Sequence, residues 1–145
     1  MTAQTPGNPD VPARPQDIQP KIVIVDDDED LQKILSFSLT SEGYTVKSIL
    51  TGKEALAYLF EKSNLQSVSL LILDRLLPDM DGIQILEELG DKFPNHIPVL
   101  ILSVLSAEKD VVVGIKRGAV DYIIKPFSLP ILMEKVSRLL SQYKA

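Results

Sequence analysis

The chain has 145 residues, 45% of them hydrophobic, which is enough for one domain with a substantial core. Its formal net charge of -5 argues against direct nucleic-acid binding by this domain, and its lack of cysteine excludes disulfides and thiolate metal sites. There is neither a signal-peptide pattern nor an apolar run near the roughly 20 residues that span a bilayer, so the sequence predicts a cytoplasmic protein without membrane association.

Residues 1–20 are rich in proline and hold little to bury, which predicts a disordered leader. A single domain is predicted over residues 21–145, where short apolar runs alternate with stretches of helical spacing. Most of the apolar runs are continuous, as is typical of strands covered on both faces. The predicted strands are 21–25, 44–50, 68–73, 98–103 and 120–124.

Five predicted helices follow these strands, and each begins after a residue whose side chain can cap a helix N-terminus. The capping residues are Asp28, Thr51, Asp81, Ser106 and Ser128. The helices are predicted to end near Gly43, Glu61, Phe93, Arg117 and Tyr143. Alternating strands and helices with short connections predict an α/β fold, a three-layer doubly wound five-stranded parallel sheet of flavodoxin-like order 2-1-3-4-5.

Polar side chains follow four of the predicted strands. Asp26 and Asp27 come after the first strand, Asp74 after the third, Ser103 at the end of the fourth and Lys125 after the fifth. Each residue alone is more often a cap or a surface charge, but parallel strands bring all of them to one edge of the sheet. Clustered carboxylates select a hard cation such as Mg²⁺. One carboxylate could then attack phosphorus and form an acyl phosphate, with the ammonium and hydroxyl groups contacting the phosphoryl oxygens.

Four motifs, in order, resemble those of the receiver domains of two-component response regulators. They are VIVDDDEDL, LLILDRLLPDMDG, PVLILS and GAVDYIIKPF, and the resemblance covers about residues 21–143. It implies a phosphorylation-dependent signalling switch rather than an enzyme with a separate substrate. The expected partners are a sensor histidine kinase or a histidine phosphotransfer protein as donor, and an effector domain or partner protein as output.

The resemblance also implies a role for each pocket residue. Asp74 would accept the phosphoryl group, and Lys125 would bridge to it. Asp27, Asp74 and the backbone carbonyl of Leu76 would bind Mg²⁺ directly, while Asp26 would act mostly through water. These assignments follow from matching motif positions.

A second group of residues is implied to carry the signal outward. Ser103 would move toward the phosphoryl group, Tyr122 would change rotamer with it, and the peptide before Pro126 is expected to be cis. The output face would be formed by the fourth helix, the fifth strand and the fifth helix.

Helical periodicity predicts which residues of that face point to water. Val113 and Ile131 are predicted to face outward, as part of a surface for an effector or a homodimer. The residues predicted to face inward are Val112, Ile115, Ala119, Leu132, Val136, Leu139 and Tyr143. Scattered exposed apolar residues are common on any protein, so exposure alone does not establish such a surface.

Two other functions are alternatives to this interpretation. A haloacid-dehalogenase-like phosphatase needs a second aspartate two residues after its nucleophile, where this chain has Leu76. A phosphate-independent receiver-like interaction module is the remaining alternative, although such modules usually lack the counterpart of Asp74 or Lys125. The only histidine, His96, falls in a predicted loop and is interpreted as a surface residue.

Overall fold

The computed structural model describes residues 19–143, and these form a five-stranded sheet. All strands pair in parallel, in the order β2-β1-β3-β4-β5, which confirms the predicted fold. The strands are β1 (Lys21–Val25), β2 (Thr45–Ile49), β3 (Leu70–Leu73), β4 (Val99–Ser103) and β5 (Asp121–Ile124). The leader predicted over residues 1–20 falls, except for its last two residues, outside the described part of the chain.

The described residues contain six α-helices, one more than predicted. They are α1 (Glu29–Ser41), α2 (Gly52–Phe60), α3 (Lys62–Ser67), α4 (Gly82–Leu89), α5 (Glu108–Lys116) and α6 (Leu129–Gln142), with a 3-10 turn at Gly90–Lys92. The extra helix arises because the backbone at Glu61 is extended and the chain then turns into α3. The fourth and fifth predicted helices are therefore α5 and α6. None of the helices within residues 19–143 has the length and apolar character needed to cross a membrane.

Four of the five predicted helix caps are confirmed by side-chain oxygens that accept backbone N–H groups of the first turn. They are Asp28, Thr51, Asp81 and Ser128. The prediction for Ser106 is wrong, because Ala107 occupies the N-cap position of α5. The Asp110 N–H bonds to the Ala107 carbonyl, so the helix begins one residue later than the cap pattern indicated.

Two hydrophobic layers cover the sheet and make it a three-layer structure. Alternate side chains of β1 enter opposite layers, which explains why its sequence is apolar throughout. One layer contains buried side chains of α1 and α6, namely Leu35, Leu39, Leu132, Val136 and Leu139. The other contains buried side chains of α2 and α4, among them Ala55, Leu59, Ile85 and Leu89. The buried Gly114 of α5 faces Ile101 and Tyr122 of this second layer, so α1 and α5 lie on opposite faces of the sheet.

The prediction of which side chains face the core is confirmed for α6 and wrong for most of α5. Val112 and Ile115 are 42% and 46% exposed, whereas Gly114 is buried. A Cβ at Gly114 would lie about 3.0 Å from ring atoms of Tyr122, so α5 approaches the sheet through a residue without a side chain. Apolar periodicity could not reveal a contact face centred on glycine. Ala119 is buried as predicted.

Val113 and Ile131 are exposed as predicted, with 40% and 57% of their surface accessible. Tyr143 is half-buried against the α1–α6 layer.

Candidate functional site

Three carboxylates meet at the carboxyl ends of β1 and β3. Oxygen atoms of Asp26, Asp27 and Asp74 all lie within 4.8 Å of one another. The strand order produces this cluster, because β1 and β3 are neighbours and the Asp74 N–H bonds to the Val25 carbonyl. Asp26 and Asp74 are buried, whereas Asp27 is exposed. The structure thus brings together the acidic residues that the sequence placed at one edge.

Lys125 supplies the positive charge of this cluster. Its Nζ atom lies 2.7 Å from Asp26 Oδ2 and 3.1 Å from Asp74 Oδ2. Burial opposes the charged form of the lysine, but the hydrogen bonds to Asp26 and Asp74 outweigh burial and raise the pKa of Lys125. Burial raises the pKa of Asp26, against the opposing hydrogen bonds from Lys125 and from the Asp28 N–H. The peptide bond between Lys125 and Pro126 is cis, as expected.

Backbone N–H groups hold the other oxygen of each buried carboxylate. Asp26 Oδ1 accepts from the Asp28 N–H at 2.9 Å, and Asp74 Oδ1 accepts from the Leu76 N–H at 3.1 Å. Both carboxylates are therefore fixed on two sides. The second contact also places Leu76 directly beside Asp74.

Gln32 braces the acidic end of β1 and was missed by the sequence reasoning. Its Nε2 atom lies 2.9 to 3.1 Å from the carbonyl oxygens of Ile24, Asp26 and Ile49, and its two hydrogens are shared among these three acceptors. These bonds tie α1 to the ends of two strands. The available signal was a polar residue on the inward spacing shared with Leu35, a position where a polar group needs partners.

The two predicted switch residues, Ser103 and Tyr122, converge on Leu105. Ser103 is fully buried, and its Oγ atom accepts from the Leu105 N–H at 3.3 Å. The Tyr122 hydroxyl donates to the Leu105 carbonyl at 2.7 Å. Leu105 thus connects the loop after β4 to β5.

The loop after Asp74 passes very close to the start of α4. A Cβ at Gly82 would overlap the Asp74 carbonyl oxygen, so only glycine fits there. The Gly82 N–H bonds to the Arg75 carbonyl at 2.7 Å. Arg75, which the sequence reasoning also missed, is buried and pairs with Asp81.

Asp79 anchors the same loop to α2. Its two carboxylate oxygens accept the N–H groups of Gly52 and Lys53, each at 2.8 Å. These backbone hydrogen bonds, led by that of Gly52, lower the pKa of Asp79. Asp79 therefore stabilises the N-terminus of α2 from outside the helix.

The cluster fits a hard divalent cation. Every side-chain donor in it is a carboxylate oxygen, and the oxygens are close enough together to bind one ion.

His96 lies in an exposed turn, as predicted for a surface residue.

The chain is similar to proteins of one known family. The family model described as "Response regulator receiver domain" matches residues 22–137. Over 126 residues the chain is 38% identical to the phosphate regulon transcriptional regulatory protein PhoB of Rhizobium meliloti (strain 1021), covering 86% of this chain and 54% of that protein. Over 124 residues it is 34% identical to the regulatory protein VanRc of Enterococcus gallinarum, covering 86% and 51%. The chain thus spans about half the length of these curated relatives.

Solved structures show the same fold. The receiver domain of the Francisella response regulator 1452 superposes with a TM-score of 0.77 at 30% identity, covering 87% of this chain and all of that one. The beryllofluoride-activated DrrB receiver domain gives a TM-score of 0.74 at 34% identity, covering 85% and 98%.

Proposed function

Because the chain belongs to the response regulator receiver domain family, we propose that Asp74 accepts a phosphoryl group from a sensor histidine kinase or a histidine phosphotransfer protein. The observation that supports this most directly is the position of Asp74, whose buried carboxylate lies 3.1 Å from Lys125 and within 4.8 Å of two further acids. A carboxylate can attack phosphorus, and a fixed cation beside it offsets the negative charge of the incoming phosphoryl group.

The proposed reaction is a transfer of phosphorus between two nucleophiles. A carboxylate oxygen of Asp74 forms a bond to phosphorus as the bond between phosphorus and the donor histidine nitrogen breaks. Lys125 neutralises charge on the phosphoryl oxygens, and the Ser103 hydroxyl donates a hydrogen bond to one of them. Mg²⁺, held by Asp27, Asp74 and the Leu76 carbonyl with Asp26 acting through water, would supply further charge neutralisation.

We propose that Ser103 and Tyr122 transmit the conformational change from the pocket to the rest of the domain. A shift of Ser103 toward a phosphoryl group would move Leu105, which also holds the Tyr122 hydroxyl. Helix α5 rests on the Tyr122 ring through Gly114, so a rotation of that ring would change how α5 packs. We therefore propose the face formed by α5, β5 and α6 as the output surface.

The exposed apolar residues of this face suit a protein partner. Val113 and Ile131 are accessible on α5 and α6, and other apolar side chains between residues 112 and 124 are also exposed: Val112, Ile115, Val120 and Ile124. An effector domain, a partner protein or a second copy of the chain would bury them.

The relatives' names support a role in gene regulation, because one of them is a transcriptional regulatory protein. We propose that any contact with nucleic acid is made by an effector rather than by this domain, whose net charge is -5. The cytoplasm is the proposed location, since a sensor kinase would deliver the phosphoryl group there.

Incubation with acetyl phosphate and Mg²⁺, followed by intact-mass measurement, tests the central step. The wild type should gain one phosphoryl group, Asp74→Asn should gain none, and Asp91→Asn, which alters an exposed acid elsewhere, should behave as the wild type. Phosphoramidate and a phosphorylated histidine phosphotransfer protein serve as further donors. If the wild type gained no mass from any of them, the phosphate-independent interaction module would be the better description.

A further inference from the structure

Arg75 follows the proposed phosphoacceptor directly, and its charge is buried. Only 8% of its side chain is exposed, although a buried guanidinium is costly unless it is paired. Asp81 provides the pair, because its two carboxylate oxygens accept from Arg75 Nε at 3.3 Å and from Nη2 at 3.0 Å. This fork fixes the plane of the guanidinium group.

The third nitrogen of the guanidinium group, Nη1, reaches α5. Arg75 Nη1 donates to the backbone carbonyl of Asp110 at 2.9 Å and lies 3.9 Å from a carboxylate oxygen of the same residue. Asp110 belongs to the first turn of α5. Since the acceptor is a main-chain atom, α5 cannot shift relative to β3 unless this bond breaks or Arg75 moves with it.

The backbone of Arg75 is held as firmly as its side chain. Its carbonyl accepts from the Leu77 N–H at 3.1 Å and the Gly82 N–H at 2.7 Å, which closes the turn that follows Asp74. Hydrogen bonding to Asp81 outweighs burial and raises the pKa of Arg75, so the guanidinium stays charged. One residue thus touches the pocket loop, the start of α4 and the start of α5.

We propose that Arg75 is a positioning residue that couples the state of the pocket around Asp74 to the position of α5. This inference rests on the proposed function and adds to it a second connection, parallel to the one through Ser103 and Tyr122. In the unmodified protein Arg75 holds α5 against the pocket loop. A change at Asp74 moves the turn at residue 75 and thereby strains or breaks the hydrogen bond from Arg75 Nη1 to the Asp110 carbonyl.

Hydrogen–deuterium exchange of α5 with and without beryllofluoride and Mg²⁺ tests the coupling. In Arg75→Met, α5 amides should exchange at least about fivefold faster without beryllofluoride, a factor at the low end of typical coupling between sites. The change that beryllofluoride induces in α5 should fall by more than half, while fluorine NMR still detects beryllofluoride in the pocket.

Arg117→Met is the matched control, because Arg117 also joins α5 to α4 but does so through an exposed pair with Glu87 at 3.2 Å. Arg117→Met should leave the exchange rate of the α5 amides, and the change that beryllofluoride induces in it, as in the wild type. Arg75→Lys keeps the charge without the fork and should give an intermediate result. If Arg75→Met fails to fold, Arg75→Lys takes its place in the comparison with Arg117→Met.

Equal α5 exchange and an equal beryllofluoride response in the Arg75 and Arg117 variants would overturn the coupling. If the wild type bound no beryllofluoride, the proposed function would fail instead. The exchange of α5 without ligand would then still decide whether Arg75 holds this helix.

Discussion

The ammonium group of Lys125 lies closer to Asp26, at 2.7 Å, than to Asp74, at 3.1 Å. Lys125→Met would leave both buried carboxylates without their cation. Breaking a buried pair costs about 3–5 kcal/mol, and we expect somewhat less, about 2 kcal/mol, because the Lys125 side chain is 16% exposed. Urea unfolding in EDTA measures this loss.

Lys135→Met is the control for Lys125→Met. Lys135 also makes a 2.7 Å pair, with Asp121, but both side chains are partly exposed, and such pairs contribute about 0–1 kcal/mol. Replacing Asp26 with Asn in the Lys125→Met background should recover part of the loss, since one uncompensated charge is removed. Equal losses in the two lysine variants would contradict the assigned role of Lys125.

The three-carboxylate cluster predicts that Mg²⁺ stabilises the folded chain. The carboxylates repel each other, and an ion bound only by the folded state adds about 2.7 kcal/mol to the free energy of unfolding at 100 times its dissociation constant. The urea midpoint should rise with Mg²⁺ relative to EDTA at matched ionic strength. Asp27→Asn should remove most of this rise. A wild-type midpoint that does not respond to Mg²⁺ would argue against a metal site.

The sequence predicted the strand-end residues of the site because the parallel-sheet rule needs only the order of elements. Asp26, Asp74 and Lys125 each follow a recognisable apolar run, and the parallel order of the strands brings them to one edge. Their grouping therefore required no knowledge of side-chain orientation. The individual roles of these residues remain predictions.

Residues whose partners are main-chain atoms of distant elements could not be found in this way. Gln32 and Arg75 donate to carbonyl oxygens, which every residue possesses, so no partner type appears in the sequence. The contact face of α5 was misassigned because its centre, Gly114, has no side chain. Helix α3 was missed because its residues, KSNLQS, contain a single apolar side chain.

The lowered pKa of Asp79 predicts that the stability of the folded chain depends on pH. Asp79→Ala removes the acceptor for the Gly52 and Lys53 N–H groups and should cost about 0.5–2 kcal/mol at neutral pH, as for a lost helix cap. Because the folded-state pKa of Asp79 is lowered from 3.8, its contribution is present above that value and disappears as the pH falls through the folded-state pKa.

The difference in urea midpoint between wild type and Asp79→Ala should therefore stay constant from pH 7 to about pH 5 and shrink below about pH 4. Glu88→Ala, which alters an exposed acid on α4, controls for the loss of a surface charge. A difference that grows as the pH falls would have the wrong sign for this explanation.

Two glycines near the pocket should tolerate alanine very differently. Gly82→Ala would push against the Asp74 carbonyl, a backbone atom, and should cost about 1–3 kcal/mol of stability. It should also slow phosphoryl uptake, up to about 100-fold, because Asp74, the proposed nucleophile, moves. Gly52→Ala would meet the side chain of Met80, which can move aside more easily than backbone, so it should cost less stability than Gly82→Ala and leave phosphoryl uptake close to the wild-type rate. Similar uptake rates in both variants would show that the close approach at Gly82 is not needed.

The exposed apolar surface on α5 and α6 predicts self-association that depends on the state of the pocket. In sedimentation with beryllofluoride and Mg²⁺, the wild type should shift toward a dimer, whereas Val113→Asp should stay monomeric because a charge would be buried at the contact. Phe37→Asp is the control, since Phe37 is 75% exposed but lies on α1, across the sheet from α5. If the wild type and Val113→Asp were both monomers, the face would serve another partner. Loss of the dimer in Phe37→Asp alone would place the contact on α1.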